Sequence, residues 1–350
     1  MSSPPAGGGA EEEAGPADQA DAAPPRPPPP SLPTPRHPAR VAAAQLTSTA
    51  DVDANYAACA RLAAAAVQAG CSMLFLPEAC AFLGPNPAAT AAAAQPLDGP
   101  LLARYRALAA RTGLWLSLGG FQEAGGPPLR SEAGTGSPPP PPRCFNTHVV
   151  LDAAGGTVAA YRKVHLFDAE GLAESAGTAP GGVGRVVAAG TPVGDVGLAV
   201  CFDLRFARFF DALVFGGEEE EGTGGEGGPQ DGPAHAARVL AIPAAFTVPT
   251  GAAHWEVLLR ARAIETQCAV VAAAQAGAHS ATRASYGHAL ITDAWGTVLA
   301  RVGGPAPDDA AALAAEGLAV ADLGEGTVEE VRARMPLAAA RARGRAAMGL

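Results

Sequence analysis

Three short apolar segments in this chain each stop at one polar residue, and the stretches around them alternate between strand-like and helix-like patterning. Residues 40–46 (RVAAAQL) read as a first strand. Residues 55–69 carry apolar residues at helical spacing. Residues 72–76 read as a buried strand that stops at Pro77 and Glu78. A second helix over 101–111 closes near Gly113 and feeds a strand over 114–119. This alternation predicts an α/β layered fold, in which the apolar faces of sheet and helices are buried against one another.

The later segments continue the pattern. Residues 146–151 and 157–161 flank the turn 152–156 (DAAGG) and predict a hairpin, whose second strand runs into Arg162 and Lys163. Residues 197–200 predict a buried strand ending at Cys201. Strands follow over 239–243, 269–274, 288–292 and 297–301, with a helix over 255–267. Two stretches interrupt the order. Residues 124–143 hold Gly125, Gly126 and the run Pro138 to Pro142, and are expected to form a mobile surface loop. Residues 216–233, with acidic residues from Glu218 to Glu221, are expected to be a solvated insertion. Residues 1–37 are rich in Pro, Ala and Gly and cannot bury a core, so a disordered tail is expected there. One domain is expected over 38–335, and a C-terminal tail over 336–350.

Composition narrows the classes of function. The net charge is −10 and the isoelectric point about 5.2, which disfavours a nucleic-acid binder with a basic face. No apolar run reaches the roughly 18–20 residues that span a bilayer, so no membrane partner is expected. The N-terminal stretch lacks an apolar signal region and carries Glu11, Glu12 and Glu13, unlike a mitochondrial presequence. The six cysteines are scattered, with no CxxC pair and no zinc-ligand spacing, and fit reduced thiols in the cytoplasm. A mitochondrial pool made from another start site stays open. No metal site is expected from the spacing of the His and Cys residues.

Glu78, Lys163 and Cys201 share one kind of position, at or just beyond the end of an apolar strand. Ligands of open α/β sheets gather at the carboxyl ends of strands. Taken singly, Cys201 could be an inert core thiol, Glu78 a helix cap and Lys163 a solvated strand end. Taken together they supply a nucleophile, a base and a cation. A thiol with its reference pKa near 8.5 is largely protonated at neutral pH, and a carboxylate within reach can take its proton. An ammonium can hold the oxyanion formed by attack on an amide carbon, with a backbone N–H near Cys201 as a second donor. A helix opening after Cys201 would lower the thiol pKa. His165, two residues beyond Lys163, is the alternative base.

The segments LFLPEA (74–79), YRKVHLFD (161–168) and VCFDLRF (200–206) resemble, in order and spacing, the three catalytic motifs of the nitrilase, or carbon–nitrogen hydrolase, superfamily. The resemblance covers about residues 38–335. WLSLGGF (115–121) is similar to a segment that precedes the lysine hairpin in that superfamily, and the segment 250–267 and RASYGH (283–288) are similar to the branch of it that acts on deaminated glutathione. The resemblance implies a four-layer αββα sandwich, assembled as a homodimer or higher homo-oligomer. It implies a small-molecule amide as substrate, hydrolysed through a thioester on Cys201 with neither a metal nor an organic cofactor. Glu78 is then the base, Lys163 the oxyanion stabiliser and Glu174 a second, assisting carboxylate. Phe246 and Thr250 are implied in the substrate pocket. Arg205 is expected to meet a substrate carboxylate or to pair with Asp203. An ω-amidase acting on short α-keto acid amides, and a non-catalytic scaffold of the same fold, are the competing readings.

Four departures from that pattern stand out. The stretch between Lys163 and Glu174 is about five residues short, and Arg208 stands where relatives carry an acid. The insertion over 216–233 and the tail from Arg341 also differ.

Overall fold

The computed structural model describes residues 38–128, 142–169, 172–182, 184–216, 237–303 and 316–348. The chain divides into Met1–Pro33 and Thr34–Leu350, and all described residues lie in the second unit. The tail expected over 1–37 falls outside them, as does the insertion over 216–233 apart from Gly216.

In chain order the elements are β1 (Ala39–Leu46), α1 (Val52–Gln68), β2 (Met73–Leu76), α2 (Pro87–Ala92), α3 (Pro100–Thr112), β3 (Trp115–Gly126), β4 (Arg143–Leu151), β5 (Thr157–Arg162), β6 (Asp168–Ala169), β7 (Leu172–Ala173), β8 (Thr178–Ala179), β9 (Val187–Thr191) and β10 (Gly194–Leu198). They continue with α4 (Ala207–Phe215), β11 (Val239–Ala241), α5 (Val248–Thr266), β12 (Ala269–Ala272), β13 (Ala274–Ala278), β14 (Ala284–Tyr286), β15 (Leu290–Thr292), β16 (Val298–Arg301), β17 (Gly317–Leu323), α6 (Glu325–Arg334) and α7 (Leu337–Met348). One sheet runs β14-β13-β1-β2-β3-β4-β5, with β17 on β1 and β8 on β4. The other runs β16-β15-β12-β11-β10-β9.

Successive side chains of a strand point to opposite faces, so each strand of the first sheet feeds two cores. Val41 and Ala43 of β1 and Met73 and Phe75 of β2 join the core against the second sheet. Their neighbours Ala42, Ala44, Leu46, Leu74 and Leu76 pack instead on α1 and α3. The second sheet is covered on its far side by α4 and α5 through Phe210, Leu213, Trp255 and Leu259. The layers are therefore helix, sheet, sheet, helix, which is the expected αββα sandwich. Local chemistry sets the helix ends. The Asp51 carboxylate caps α1 by accepting the N–H groups of Asp53 and Ala54 at 3.0 and 2.9 Å. Gly113 closes α3 at a φ of +69°, a left-handed position that glycine adopts without a Cβ penalty.

Some boundaries differ from the sequence reading. β3 continues to Gly126 and pairs with Arg143, so 124–126 and Arg143 are strand, and 129–141 lie outside the described residues. The run 269–274, read as one strand, changes sheets at Ala273: β12 pairs with β11 and β15, β13 with β1 and β14. The C-terminal tail contains a helix, α7, tied to α4 by Arg341 and Asp211 at 2.5 Å.

Candidate functional site

β2 ends at Leu76, and the chain then turns so that Glu78 points inward, 7% exposed. Ala79 adopts a φ of +57°, and its N–H donates to the Gly120 carbonyl at 3.2 Å. The Glu78 carbonyl accepts from Gln275 Nε2 at 2.9 Å, which pins the turn to β13. Gly120 itself has a φ of +66°, and a Cβ there would lie 2.6 Å from Asn146 Oδ1 and 2.9 Å from Glu78 Cγ. Only glycine lets β3 pass this close beneath the carboxylate.

Lys163 follows β5, its N–H donating to the Asn146 carbonyl at 2.9 Å and its carbonyl accepting from Gly181 at 2.8 Å. Its ammonium is 2% exposed. It donates to Glu78 Oε1 at 3.1 Å and to both carboxylate oxygens of Glu174 at 3.0 and 2.8 Å. Glu174 is fixed in turn by the Phe167 N–H at 2.8 Å. The short ribbon of β6 and β7 brings Glu174 back to Lys163, so the shortened stretch still delivers this carboxylate.

Cys201 opens a five-residue 3-10 turn after β10, at a φ of +47°. Its N–H donates to the Pro243 carbonyl at 2.8 Å, so this particular N–H is already engaged. The thiol lies close enough to the Glu78 carboxylate for the two to perturb each other's ionisation. The other oxygen of Glu78, Oε2, accepts the Ala245 N–H at 2.9 Å. Glu78 and Lys163 thus come from the first sheet and Cys201 and Ala245 from the second.

Asn146 is a site residue that the sequence reading passed over as the start of a strand. Its Nδ2 donates to Glu78 Oε1 at 2.9 Å and to Glu174 Oε1 at 3.0 Å, bridging the two carboxylates. Its only signal was a lone amide in a mostly apolar strand. Asp203 enters the sequence reading only as a possible partner of Arg205. Fully buried, it accepts from Tyr161 Oη at 2.9 Å and the Val200 N–H at 2.9 Å, and contacts His165 Nδ1 at 2.7 Å. It therefore ties the residues flanking Lys163 to those flanking Cys201. This removes two expectations. His165 is held by Asp203, stacked on Phe206 at 3.7 Å and absent from the cleft lining, so it is Glu78 and not His165 that the fold sets beside Cys201. Asp203 is taken, so it is not the partner of Arg205.

Charge is arranged so that the proton starts on sulfur. Burial works against the Lys163 ammonium, but Glu174 and Glu78 outweigh it and hold it charged, well above the usual lysine range. Burial would also raise Glu78; the Lys163 charge and the Cys201, Asn146 and Lys163 side chains beside it outweigh this and bring it below the usual carboxylate value. Burial and the Glu78 charge push the Cys201 thiol well up. The expected lowering by a helix N-terminus is overturned. A five-residue 3-10 turn has too few aligned peptides to offset burial beside a carboxylate.

A cleft of about 610 Å³ opens over this group. Arg205, Phe246 and Thr250 all line it, as does Arg283. Arg205 lies 5.8 Å over the Phe202 ring and 5.4 Å over Phe246, and donates to His254 Nδ1 at 3.3 Å. Thr250 Oγ1 meets Thr247 Oγ1 at 2.7 Å. Arg208 is exposed and does not line the cleft, so its unusual charge leaves the site intact. Among the described residues, no cluster of His, Cys, Asp and Glu could hold a metal ion, and no helix is long and apolar enough to cross a membrane.

The fold and this buried set of two carboxylates, an amine and a thiol define a class of hydrolase. The sequence profile of the carbon–nitrogen hydrolase family matches residues 40–333, and the chain belongs to that family and is an amide hydrolase. Within the family, it is 44% identical over 266 residues to deaminated glutathione amidase of Mus musculus, covering 75% of this chain and 73% of that protein. It is 42% identical to the nitrilase and fragile histidine triad fusion protein of Drosophila melanogaster, covering 75% of this chain and 50% of that one. The crystal structure of the C. elegans NitFhit protein superimposes with a TM-score of 0.67 at 33% identity, over 86% of this chain; the chain spans 64% of that longer protein.

Proposed function

We propose that this amidase hydrolyses deaminated glutathione to 2-oxoglutarate and cysteinylglycine, with Cys201 as nucleophile. The observation that carries the mechanism is the Glu78 carboxylate held between the Cys201 thiol and the Lys163 ammonium at the floor of the cleft. The 44% identity to the mouse enzyme supports the substrate. Glu78 takes the thiol proton as sulfur attacks the amide carbon, and Lys163 meets the oxyanion. Protonated Glu78 then gives its proton to the departing nitrogen, and cysteinylglycine leaves a thioester on Cys201. Glu78 next takes a proton from water, which attacks the thioester. The second tetrahedral intermediate collapses to 2-oxoglutarate, and the proton returns to sulfur. Glu174 and Asn146 hold Lys163 and Glu78 in place throughout. Arg205 receives the carboxylate of the 2-oxo acid, and Phe246 and Thr250 shape the acyl side of the cleft.

The test is release of 2-oxoglutarate from deaminated glutathione by the purified protein. Cys201→Ala is expected to abolish it, and turnover retained in that variant would remove Cys201 as nucleophile. A kcat/KM higher for α-ketoglutaramate than for deaminated glutathione would assign the ω-amidase selectivity instead.

A further inference from the structure

The cleft carries a cation that neither the mechanism nor the acyl-side contacts use. Its charged lining residues are Glu78, Glu174, Lys163, Arg205 and Arg283. The first three pair with one another at the floor. Arg205 is placed four residues beyond the nucleophile, between two aromatic rings. Arg283 comes from elsewhere, the turn between β13 and β14, and has no carboxylate partner among the described residues.

That turn is built firmly. The Arg283 carbonyl accepts the N–H groups of His279 and Ser280 at 2.8 and 3.3 Å. The buried His279 ring bridges the Ser48 carbonyl and Ser285 Oγ, each at 2.8 Å. β14 is seated on the start of α5, where a Cβ at Gly251 would come within 2.2 Å of Tyr286. A rigid hairpin thus presents Arg283 to the cleft beside the exposed residues Thr282 and Ala284, which mark the rim. In a chain of net charge −10, an arginine facing a cleft with no carboxylate partner among the described residues favours an anionic group there.

We propose that Arg283 reads a carboxylate on the leaving-group side of the substrate. It makes the cleft selective for amides whose amine portion ends in a carboxylate, over those that release ammonia or a neutral amine. The inference rests on the substrate reading above and adds a specificity residue to it. Chemistry places the two ends. The acyl part stays bound as the thioester and needs the deeper contacts near Cys201. The amine part must depart first, so it faces the rim. A guanidinium forms a two-pronged contact with a carboxylate and none of comparable strength with a carboxamide.

The experiment measures 2-oxoglutarate release by the wild type, Arg283→Gln and Arg283→Lys. The substrates are deaminated glutathione, its C-terminal amide and α-ketoglutaramate. Arg283→Gln is expected to lower the ratio of kcat/KM for deaminated glutathione to that for α-ketoglutaramate about tenfold, mainly through KM, as for a half-exposed charged hydrogen bond. Capping the terminal carboxylate as an amide is expected to cost the wild type the same factor and to cost Arg283→Gln nothing further, with Arg283→Lys between. An unchanged ratio, or an equal amide penalty in wild type and Arg283→Gln, overturns the assignment while leaving the substrate reading intact. A wild type that releases 2-oxoglutarate from α-ketoglutaramate but not from deaminated glutathione overturns the substrate reading, and Arg283 with it.

Discussion

Replacing Gly120 by alanine tests whether the close passage of β3 beneath Glu78 sets the catalytic geometry. The new Cβ would lie 2.6 Å from Asn146 Oδ1, 2.9 Å from Glu78 Cγ and 3.0 Å from the Ala79 nitrogen. Ordinary contact begins at 3.4 Å, so the Asn146 amide must retreat by about 0.8 Å. That amide spans Glu78 and Glu174 at 2.9 and 3.0 Å, so a retreat of this size breaks at least one of the two bonds. Left-handed backbone costs alanine about 1 kcal/mol and the crowding about 1–3 kcal/mol more, for a total of about 2–4 kcal/mol. A misplacement approaching 1 Å at a reacting group costs on the order of 100-fold in rate. Thermal melting and kcat/KM, measured on the same preparation, read the two effects. Gly113→Ala is the control: its φ is +69°, but a Cβ there meets nothing within 4 Å. It is expected to melt slightly earlier, by about 1 kcal/mol, with ordinary kinetics. Ordinary kcat/KM in Gly120→Ala, or the same kinetic loss in Gly113→Ala, would refute the reasoning.

Asn146→Ala removes donors to both carboxylates and is expected to lower kcat/KM by about 10- to 100-fold, since hydrogen bonds to charged groups contribute about 1.5–3 kcal/mol; a loss under threefold would show that Lys163 alone holds them. Alkylation of Cys201 by iodoacetamide is expected to lack the ordinary thiol titration near pH 8.5, because burial and the Glu78 charge push the folded thiol up, and its pH dependence is expected to move down in Glu78→Gln; a simple titration near 8.5 would contradict the Glu78–Cys201 pairing. Burial pushes His148 and His279 down to about 4 from 6.5. A depressed group stabilises the fold above its unfolded pKa and loses that contribution as pH falls through the folded value. Stability measured by urea titration is therefore expected to decline between pH 6.5 and 4 with a slope approaching two protons, about 2.7 kcal/mol per pH unit; a flat profile would mean that both rings are protonated in the native state.

The three strand ends were legible because each apolar run is short, bounded and stopped by a residue no core would hold unpaired. The hairpin of β4 and β5 was legible from its Asp and Gly turn, and the two sheets followed from the family resemblance. Other features left weak marks. The run 269–278 changes sheets at Ala273 with no breaker, because an extended backbone crosses without a turn. β17 (GLAVADL) went unread since its alanines blur alternation, although it pairs with nearly the whole of β1. Asn146 and Arg283 are distant in sequence from the motifs they serve, and Asp203, though inside the Cys201 motif, is distant from the Tyr161 and His165 it meets; only the folded sheets bring these together. The direction of the Cys201 shift was misread because burial beside a carboxylate is a three-dimensional property.

Asp203 has a consequence for how the two sheets hold their alignment. The core between them is rich in alanine and valine, and apolar contact has no preferred direction. Apolar contact alone is a poor guard against one sheet sliding over the other. Directional bonds resist it: Tyr161 and His165 on one side and Val200 on the other all end on a single carboxylate. Asp203 thus acts as a dowel through the sandwich. Substitutions among the surrounding aliphatic positions can drift so long as volume is kept, whereas losing this one acid would loosen the segment that carries Lys163 from the one that carries Cys201 inside an otherwise intact fold.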